Sequence, residues 1–400
     1  MKILLELWTG IGPLIRSLPI AKELQKRGHE IQFLSHDQSA EIMLASGFEQ
    51  AALNPKDIAM PGMSGPDWRS IDSVAALRGF ADMAWIERSQ KVWHGFLRAE
   101  NFDLIISDFG VQSALAARCM KIPLVTITQS CMHPGRKGGR IWYWEDARDE
   151  EASDISLKTT NAFLARFGAE PLKRYDDLYV GDKTLIPGIP EFDWLEEQDA
   201  AKTYYIGPVL WGGLHDKEQE LQPFKQTSFT IFAYTGRMKD SAGNSGQLIL
   251  DCLLDAANKR PNLNFLISTG GLDLKAESMQ DRLSDNVKIV DWLPISQAFS
   301  IADLVIHHGG HGSCMANIIY GKPALVLPTH TERNFNAHRI KDLELGNFIE
   351  RQDLNAESLL KGIELLLENH HYTDTVKKYQ QVVQENYQRG VERAADIIES

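Results

Sequence analysis

Short apolar runs alternate with amphipathic segments from the start of the chain. In its first half, four runs predict strands, at residues 2–8, 30–35, 104–107 and 124–128. The segment at residues 18–26 carries apolar residues at helical spacing and is followed by Arg27-Gly28, a common end of a helix. Strands that are apolar throughout and separated by helices indicate a parallel sheet covered on both faces.

The same alternation begins again in the second half. Five further runs predict strands, at residues 229–234, 263–268, 287–290, 304–307 and 324–327. Proline, glycine and acidic residues dominate the stretch 188–223, which is typical of a crossing between domains. The chain is therefore predicted to be an α/β protein with two Rossmann-like, doubly wound domains that face each other across a cleft. Ligand is expected at the carboxyl ends of the strands.

The length of 400 residues exceeds what one hydrophobic core usually serves. We expect an N-terminal domain at residues 1–207, a linker at 208–224 and a C-terminal domain at 225–385. A final helix at residues 386–400 is expected to pack back on the N-terminal domain.

Composition limits the classes of function. The formal net charge is −12, and a protein that binds the nucleic-acid backbone needs a basic face, so nucleic acid is not an expected partner. A small anion stays compatible with this charge, because a few backbone N–H groups can hold one diphosphate. The four cysteines occur singly, which favours reduced thiols in a cytoplasmic protein. No apolar run approaches the roughly 20 residues of a membrane span. The composition leaves open whether the chain forms a homodimer.

The most informative segment, residues 302–317, combines a strand end, a glycine-rich turn and a helix start. Gly309, Gly310 and Gly312 let the backbone approach an anion, and a helix beginning near Ser313 presents free N–H groups. A tight strand-to-helix turn with incidental histidines is the alternative. The spacing is neither Walker A nor GxGxxG. No carboxylate lies near the histidines and no Asp-x-Asp pair occurs in the chain, so no metal site is expected.

Four motifs in the C-terminal half carry a resemblance to a known family. They are Asp291-Trp-Leu-Pro, His307-His-Gly-Gly-His-Gly-Ser, Gly321-Lys-Pro-Ala-Leu-Val-Leu-Pro and Glu332-Arg-Asn-Phe-Asn-Ala-His-Arg. In order and spacing they resemble the donor-binding signature of nucleotide-sugar glycosyltransferases with the two-domain GT-B fold. That family comprises the UDP-glycosyltransferases and the macrolide-type bacterial glycosyltransferases. The segment from Gly10 to Ile31 resembles its opening strand, loop and helix, so the resemblance covers both domains.

The resemblance implies a donor site in the C-terminal domain and an acceptor site in the N-terminal one. Trp292 stands where the family stacks an aromatic ring on the nucleobase; an apolar wall at a strand end is the alternative. Glu332 and Arg333 occupy the acidic-plus-amide pair that binds the sugar hydroxyls, and Arg333 departs from the amide. The diphosphate would be held by His308, Gly310, His311, Gly312 and Ser313.

Two more positions are assigned to the donor site on the same resemblance. Arg237 lies in the loop after the strand that ends at Tyr234, and it either neutralises phosphate charge or is a solvated arginine. Gly12 belongs to the glycine-containing turn after the first strand.

The family's histidine base is missing from this sequence. In the Gly-x-Gly-His arrangement after the first strand, Pro13 stands where the histidine is expected, and proline has no titratable group. Three explanations stay open. The first is that no histidine base is needed, because another carboxylate serves or because the nucleophile is already acidic or a nitrogen. The second is different chemistry on the same scaffold, such as a retaining transfer, and the third is an inactive partner protein. Asp108 is the candidate base by position, with a helix cap as its alternative. His133 is a further candidate.

The resemblance thus implies transfer of a sugar from a UDP- or dTDP-sugar to a small-molecule, natural-product-like acceptor. It implies an inverting, metal-independent hexosyl transfer in which the nucleotide sugar is a co-substrate and no cofactor takes part. The alternatives are a non-catalytic auxiliary or binding protein on the same fold, and a nucleotide-sugar epimerase or hydrolase.

Overall fold

The computed structural model describes most of the chain: residues 1–7, 10–61, 71–136, 154–196, 202–211, 220–221, 224, 228–236, 245–270, 283–329 and 331–400. The chain divides into two compact units. Unit 1 comprises Met1–Trp211 and Tyr387–Ser400, and unit 2 comprises Gly212–Asn386. Each unit contains a parallel sheet covered by helices, which confirms the predicted α/β class.

Unit 1 contains a seven-stranded sheet within the described ranges. Its strands are β1 (Lys2–Leu7), β2 (Glu30–Leu34), β3 (Glu49–Gln50), β4 (Leu104–Asp108), β5 (Leu124–Ile127), β6 (Lys183–Ile186) and β7 (Thr203–Tyr205). They run parallel in the order β3-β2-β1-β4-β5-β6-β7. The order reverses between β1 and β4, so the carboxyl ends of these two strands flank the switch point at which such sheets bind ligands.

Helices cover both faces of this sheet. In the first 165 residues they are α1 (Ile11–Lys26), α2 (Asp37–Ala45), α3 (Ile71–Ala75), α4 (Met83–Glu100), α5 (Val111–Met120) and α6 (Ile155–Ala165). Leu14 and Leu18 of α1 pack on one face, whereas Trp93 of α4 and Ala114 of α5 pack on the other. The apolar runs of β1 and β4 are therefore buried from both sides, as their sequence predicts.

The start of α1 corrects the sequence-based prediction, which placed a turn at residues 9–14 and the helix at 18–26. The helix begins at Ile11 and includes Pro13 and Pro19. Pro13 is the third helical residue, and its missing N–H falls among those that have no intrahelical partner in any helix. A proline at that position therefore does not mark a turn.

Unit 2 contains a six-stranded parallel sheet in its described residues. Its strands are β8 (Thr230–Tyr234), β9 (Asn264–Ser268), β10 (Val287–Val290), β11 (Leu304–His307), β12 (Ala324–Val326) and β13 (Gly346–Phe348). Their order is β10-β9-β8-β11-β12-β13. Its helices are α7 (Ser245–Lys259), α8 (Ile295–Ile301), α9 (His311–Tyr320), α10 (Thr331–Asp342), α11 (Ala356–Glu368) and α12 (His370–Asn386). Here the switch point lies between β8 and β11.

The last helix, α13 (Gly390–Glu399), belongs to unit 1. The guanidinium of Arg27 at the end of α1 donates to Asp396 Oδ1 at 2.7 Å and to Glu399 Oε2 at 2.8 Å. Lys183 of β6 donates to the carbonyl of Ile397 at 2.7 Å. Within the described residues, no helix combines the length and the apolar character that crossing a membrane requires.

Candidate functional site

Several of the candidate donor-binding residues lie along one edge of the unit 2 sheet. Because all its described strands run parallel, their carboxyl ends share this edge. Tyr234 ends β8, Trp292 follows β10, the segment 308–313 follows β11, and Glu332 follows β12. The sheet therefore gathers residues from four loops around the switch point between β8 and β11.

His307, the last residue of β11, fixes the conformation of the glycine-rich turn. Its Nδ1 accepts a hydrogen bond from Gly309 N at 3.0 Å, and its Nε2 lies 2.7 Å from Oδ1 of Asn317 in α9. Since Nδ1 is an acceptor, the ring proton sits on Nε2 and is donated to Asn317. Burial lowers the pKa of His307 to about 4, against the opposing effect of the Asn317 bond, so the ring is neutral at neutral pH. Sequence reasoning gave this histidine no separate role.

Gly309 joins the turn to α10. Its φ is +90°, and a Cβ atom there would lie 2.7 Å from the carbonyl oxygen of Arg333 and 3.0 Å from Val326 Cγ1. The carbonyl of Gly309 also accepts a hydrogen bond from Asn336 Nδ2 at 2.9 Å. Only glycine permits both the backbone conformation and this close approach. The turn therefore holds the start of α10, and with it Glu332, beside the start of α9.

The first turn of α9 presents backbone N–H groups at this edge. Gly310 is the N-cap, and the first internal bond runs from Cys314 N to Gly310 O at 3.1 Å. The N–H groups of His311, Gly312 and Ser313 precede that bond, the N-cap makes no side-chain capping bond, and the first turn has no acidic residue. Gly312 and Ser313 are partly exposed. Such a helix start favours an anion through its N–H groups and the positive end of its dipole.

His308 lies between the turn and the end of β8. Its ring centroid is 5.3 Å from that of Tyr234. A Cβ atom on Gly236 would be 3.3 Å from His308 Nδ1, and one on Gly310 would be 3.0 Å from Nε2. The imidazole is thus flanked by two glycines and remains partly exposed. It lies beside both the β8 loop and the start of α9, and its role on the diphosphate side stays a prediction.

Trp292 lies at the other end of the same edge. It is half-buried, and the carbonyl of Asp291 before it accepts a bond from Ser268 Oγ at 3.3 Å, which ties the end of β10 to that of β9. β10 and β11 are three strand spacings apart, about 14 Å.

Arg333, in α10, contacts the hydroxyl of Thr329 through its guanidinium. Arg237 lies outside the described residues, and Gly12 is the second residue of α1 in unit 1.

A family model described as the C-terminal domain of erythromycin biosynthesis protein CIII-like matches residues 269–389, a range that includes Trp292, the segment 308–313 and Glu332. The NDP-glycosyltransferase YjiC of Bacillus subtilis is 30% identical over 400 aligned positions, which cover 96% of this chain and 93% of that protein. The chain belongs to this glycosyltransferase family.

Solved structures show the same fold. The glycosyltransferase of kitacinnamycin superposes with a TM-score of 0.76 over 100% of this chain and 98% of its own, at 17% identity. The spinosyn rhamnosyltransferase SpnG in complex with thymidine diphosphate gives 0.68 at 16% identity, with 96% of each chain covered. SpnG in complex with the spinosyn aglycone gives 0.72 at 16% identity, over 100% of both chains. These superpositions confirm the GT-B fold that the resemblance of the sequence motifs implies.

At the switch point of unit 1, the glycosyltransferase pairs Asp108 with Arg16 rather than with a histidine. Asp108 is fully buried, and its Oδ2 accepts bonds from Arg16 Nε at 2.8 Å and Ser17 Oγ at 2.7 Å. Its Oδ1 contacts the other arm of the guanidinium, which also lies over the ring of Phe109 at 4.7 Å. A carboxylate held this way is a weak base. The structure therefore does not support Asp108 as the base.

The other interpretations of this region are corrected as well. Gly110, not Asp108, is the N-cap of α5, so Asp108 does not cap that helix. His133 is buried, its Nδ1 accepts a bond from Gly135 N at 3.0 Å, and burial lowers its pKa to about 4. A neutral, enclosed imidazole of this kind is a poor proton acceptor at neutral pH. No group of three or more His, Cys, Asp or Glu residues in the described ranges could hold a metal ion.

One titratable side chain at this switch point has no counterpart among the candidates named from the sequence. Glu6 lies in β1, beside Ser107 of β4, and its carboxyl group contacts Gly110 and Ser113 at the start of α5. Burial raises its pKa to about 7, and the bonds from Ser113 offset only part of that effect. A single glutamate in the apolar run Lys2–Leu7 carries no pattern that would distinguish it.

Proposed function

We propose that the chain transfers a sugar from a UDP- or dTDP-sugar to a small, natural-product-like acceptor. The observation that carries the proposal is the turn after β11. His307 and Asn317 fix the turn, and Gly309 packs against the start of α10. The helix start that carries Glu332 therefore lies beside the N–H donors at the start of α9. The thymidine diphosphate bound by SpnG, a protein of the same fold, supports a nucleoside diphosphate as the anion.

The proposed donor lies extended along the carboxyl edge of the unit 2 sheet. Its base stacks on Trp292, its diphosphate accepts bonds from the N–H groups of Gly312 and Ser313, and its sugar hydroxyls reach Glu332. The separation of about 14 Å between the ends of β10 and β11 suits a nucleotide spread between these groups. His308, next to Tyr234, adds an imidazole on the diphosphate side.

In the proposed mechanism the acceptor oxygen attacks the anomeric carbon and inverts it in one displacement. Negative charge grows on the leaving diphosphate, and the fixed N–H groups and dipole of α9 stabilise that charge without reorganisation. These donors supply what a divalent cation supplies in other transferases, so we propose that the reaction needs no metal. The nucleotide sugar is a co-substrate, and the proposal includes no cofactor.

The proposed acceptor site is the switch point of unit 1. Doubly wound sheets bind ligands there, and the spinosyn aglycone bound by SpnG supports an acceptor of the natural-product class. Arg16 and Phe109 form a cation–π pair at this point, with the guanidinium carbon 4.7 Å from the ring centroid. An aromatic surface of this kind suits a ring-containing acceptor.

The test is a transfer assay with UDP-glucose and dTDP-glucose against a panel of phenols, macrolide aglycones and aliphatic alcohols, followed by mass spectrometry. The proposal predicts a glucosylated acceptor and free nucleoside diphosphate in equal amounts, with the rate unchanged by EDTA. Nucleotide binding without any product would favour a non-catalytic binding protein. Free sugar or an epimerised donor, formed at the same rate with and without acceptor, would favour a hydrolase or epimerase.

A further inference from the structure

Glu6 lies one residue before the end of β1, at the strand end that flanks the switch point of unit 1. It is in register with Leu34 of β2 and Ser107 of β4. Side chains alternate along a strand, so Glu6 points to the same face as Leu4, which packs with α4 and α5. Its carboxyl group thus stands on the α5 side of the point where this fold binds ligands.

The carboxyl group of Glu6 occupies the space that a side chain on Gly110 would need. A Cβ atom on Gly110 would lie 1.8 Å from Oε2 and 2.2 Å from Cδ. Ser113, in the first turn of α5, lies close enough to the carboxyl group to lower its pKa, and its hydroxyl donates to the carbonyl of Gly110 at 2.9 Å. Oε2 is buried and has no hydrogen-bond partner among the described residues. The residue as a whole is partly exposed, at the strand end that flanks the switch point.

None of the interactions that shift the pKa of Glu6 comes from a charged group. Among the charged residues on the neighbouring elements, Lys2 and Glu30 lie at the amino ends of β1 and β2, and Lys56 and Asp57 are exposed. In α4, Glu87, Arg88, Lys91 and Arg98 are exposed, and Glu100 pairs with Lys2. The others are Asp108 at the end of β4 and Arg118 near the end of α5. Asp108 lies on the opposite face of the sheet and is paired with Arg16. Arg118 donates to the carbonyls of Asp177 and Val180. Among the described residues, no cation shifts the pKa of Glu6 toward the ionised form.

The transfer needs a proton acceptor that the other candidates do not supply. Pro13 stands at the position of the family's histidine, and Asp108 is committed to Arg16 and Ser17. We propose that Glu6 is the general base that accepts the proton of the acceptor hydroxyl. This inference rests on the proposed function, and it replaces Asp108 with a carboxylate at the same switch point that has no cationic partner among the described residues.

The step balances in atoms and charge. The acceptor oxygen forms its bond to the anomeric carbon while the bond from that carbon to the diphosphate oxygen breaks. The electron pair leaves with the nucleoside diphosphate, and the acceptor proton moves to Glu6, which then returns it to water. Burial favours the neutral acid, and a base with a pKa of about 7 is well matched to neutral pH.

The first test compares two acceptors in the Glu6→Gln variant, with UDP-glucose or dTDP-glucose as donor. Above neutral pH 4-nitrophenol is largely ionised and needs no base, whereas 4-methoxyphenol keeps its proton. We expect kcat/KM for 4-methoxyphenol to fall about 100-fold or more, the usual contribution of a positioned base. For 4-nitrophenol the rate should stay close to that of the wild type. The rise of wild-type kcat/KM with pH near neutrality should disappear in the variant.

A second variant moves the carboxyl group without removing it. Gly110 has a φ of −83°, which alanine adopts freely. Gly110→Ala adds a methyl group in the space of the Glu6 carboxyl group, with Ser107 Oγ as the next nearest atom at 2.8 Å. It should reproduce the selective loss on 4-methoxyphenol. The matched control is Glu49→Gln at the exposed β3, which should change neither acceptor. The side-chain carboxyl 13C resonance of Glu6 is assigned as the one that is missing in Glu6→Gln. This resonance should titrate near neutral pH in the wild type and at a lower pH in Gly110→Ala.

The outcomes separate the inference from the function on which it rests. Glu6→Gln with wild-type kinetics, or with an equal loss on both acceptors, overturns the role of Glu6 as base. So does a Glu6 resonance that titrates like that of an exposed glutamate, a result that does not depend on turnover. A wild-type protein that binds neither UDP nor dTDP contradicts the proposed function instead, and the resonance still decides the state of Glu6.

Discussion

Arg16 Nε lies 2.8 Å from Oδ2 of Asp108 in an ion pair from which water is excluded. The two charges neutralise each other where the family resemblance implies a histidine paired with the aspartate. The pair joins the second turn of α1 to the end of β4, and Ser17 Oγ adds a bond to the same carboxylate oxygen. We conclude that Asp108 now has a structural role at the switch point of unit 1.

Arg16→Met should destabilise the protein strongly, because it leaves the carboxylate of Asp108 buried without its cation. Breaking one side of a buried pair typically costs about 3–5 kcal/mol of unfolding free energy. Urea unfolding followed by circular dichroism measures it. The control is Arg166→Gln, which breaks the exposed pair of Arg166 with Glu87 and should cost less than about 1 kcal/mol. Equal losses in the two variants would contradict the structural role.

Asp108→Asn should lower the amount of folded protein without changing how the reaction depends on pH. The amide leaves Arg16 buried without its counter-charge, so stability falls. Because Glu6 rather than Asp108 is proposed to accept the proton, kcat/KM per folded molecule should keep the wild-type rise near neutral pH. Loss of that rise in Asp108→Asn, with Glu6→Gln unaffected, would restore Asp108 as the base.

His307 makes the folded state sensitive to acid. Its pKa is lowered to about 4 in the folded protein, so an unfolded chain with an ordinary histidine binds a proton first as the pH falls. Stability is therefore complete above about pH 6.5 and is lost between about 6.5 and 4, by up to about 3 kcal/mol from this residue. His307→Gln should remove that part of the pH dependence. The measurement is the drop in the urea midpoint between about pH 7.5 and about pH 5, which should be smaller in His307→Gln than in the wild type. The same pH dependence in His307→Gln and wild type would show that folding does not lower the pKa of His307.

Glu6 changes the stability of the fold with pH in the direction opposite to that of His307. Its pKa is raised to about 7 in the folded protein, so ionisation destabilises the fold as the pH rises from about 4.5 to 7. Glu6→Gln removes this cost, and the variant should become more stable relative to wild type over that window, by at most about 3 kcal/mol. Thermal melts at both ends of the window measure the effect. A difference that is constant with pH would mean that the carboxyl group ionises normally.

The sequence pattern predicts the parallel sheets but not all of their strands. β1, β4 and β11 are continuous apolar runs, so they are recognised directly. The edge strands β3 and β13 have only two and three residues. Such short segments are strands because a neighbouring strand supplies the hydrogen bonds, and their own composition carries no period to detect.

The candidate site, too, is predicted from the sequence only in part. The residues around His308 are local in sequence, so their motif identifies the helix start without the fold. The roles of His307 and Asp108 depend on partners, Asn317 and Arg16, that only the packed structure selects. Glu6 is the extreme case, because its environment is created by Gly110 and Ser113, more than a hundred positions further along the chain.

Nucleotide binding at the start of α9 is the property on which the proposed function most directly depends. Titration calorimetry of UDP and dTDP should show one site in the wild type and in Gly28→Ala, whose φ of +90° equals that of Gly309 but whose added Cβ meets open space. Gly309→Ala should abolish binding, because its Cβ would collide with the carbonyl of Arg333. No binding to the wild type, or equal binding to Gly309→Ala and Gly28→Ala, would contradict the assignment of this helix start as the donor site.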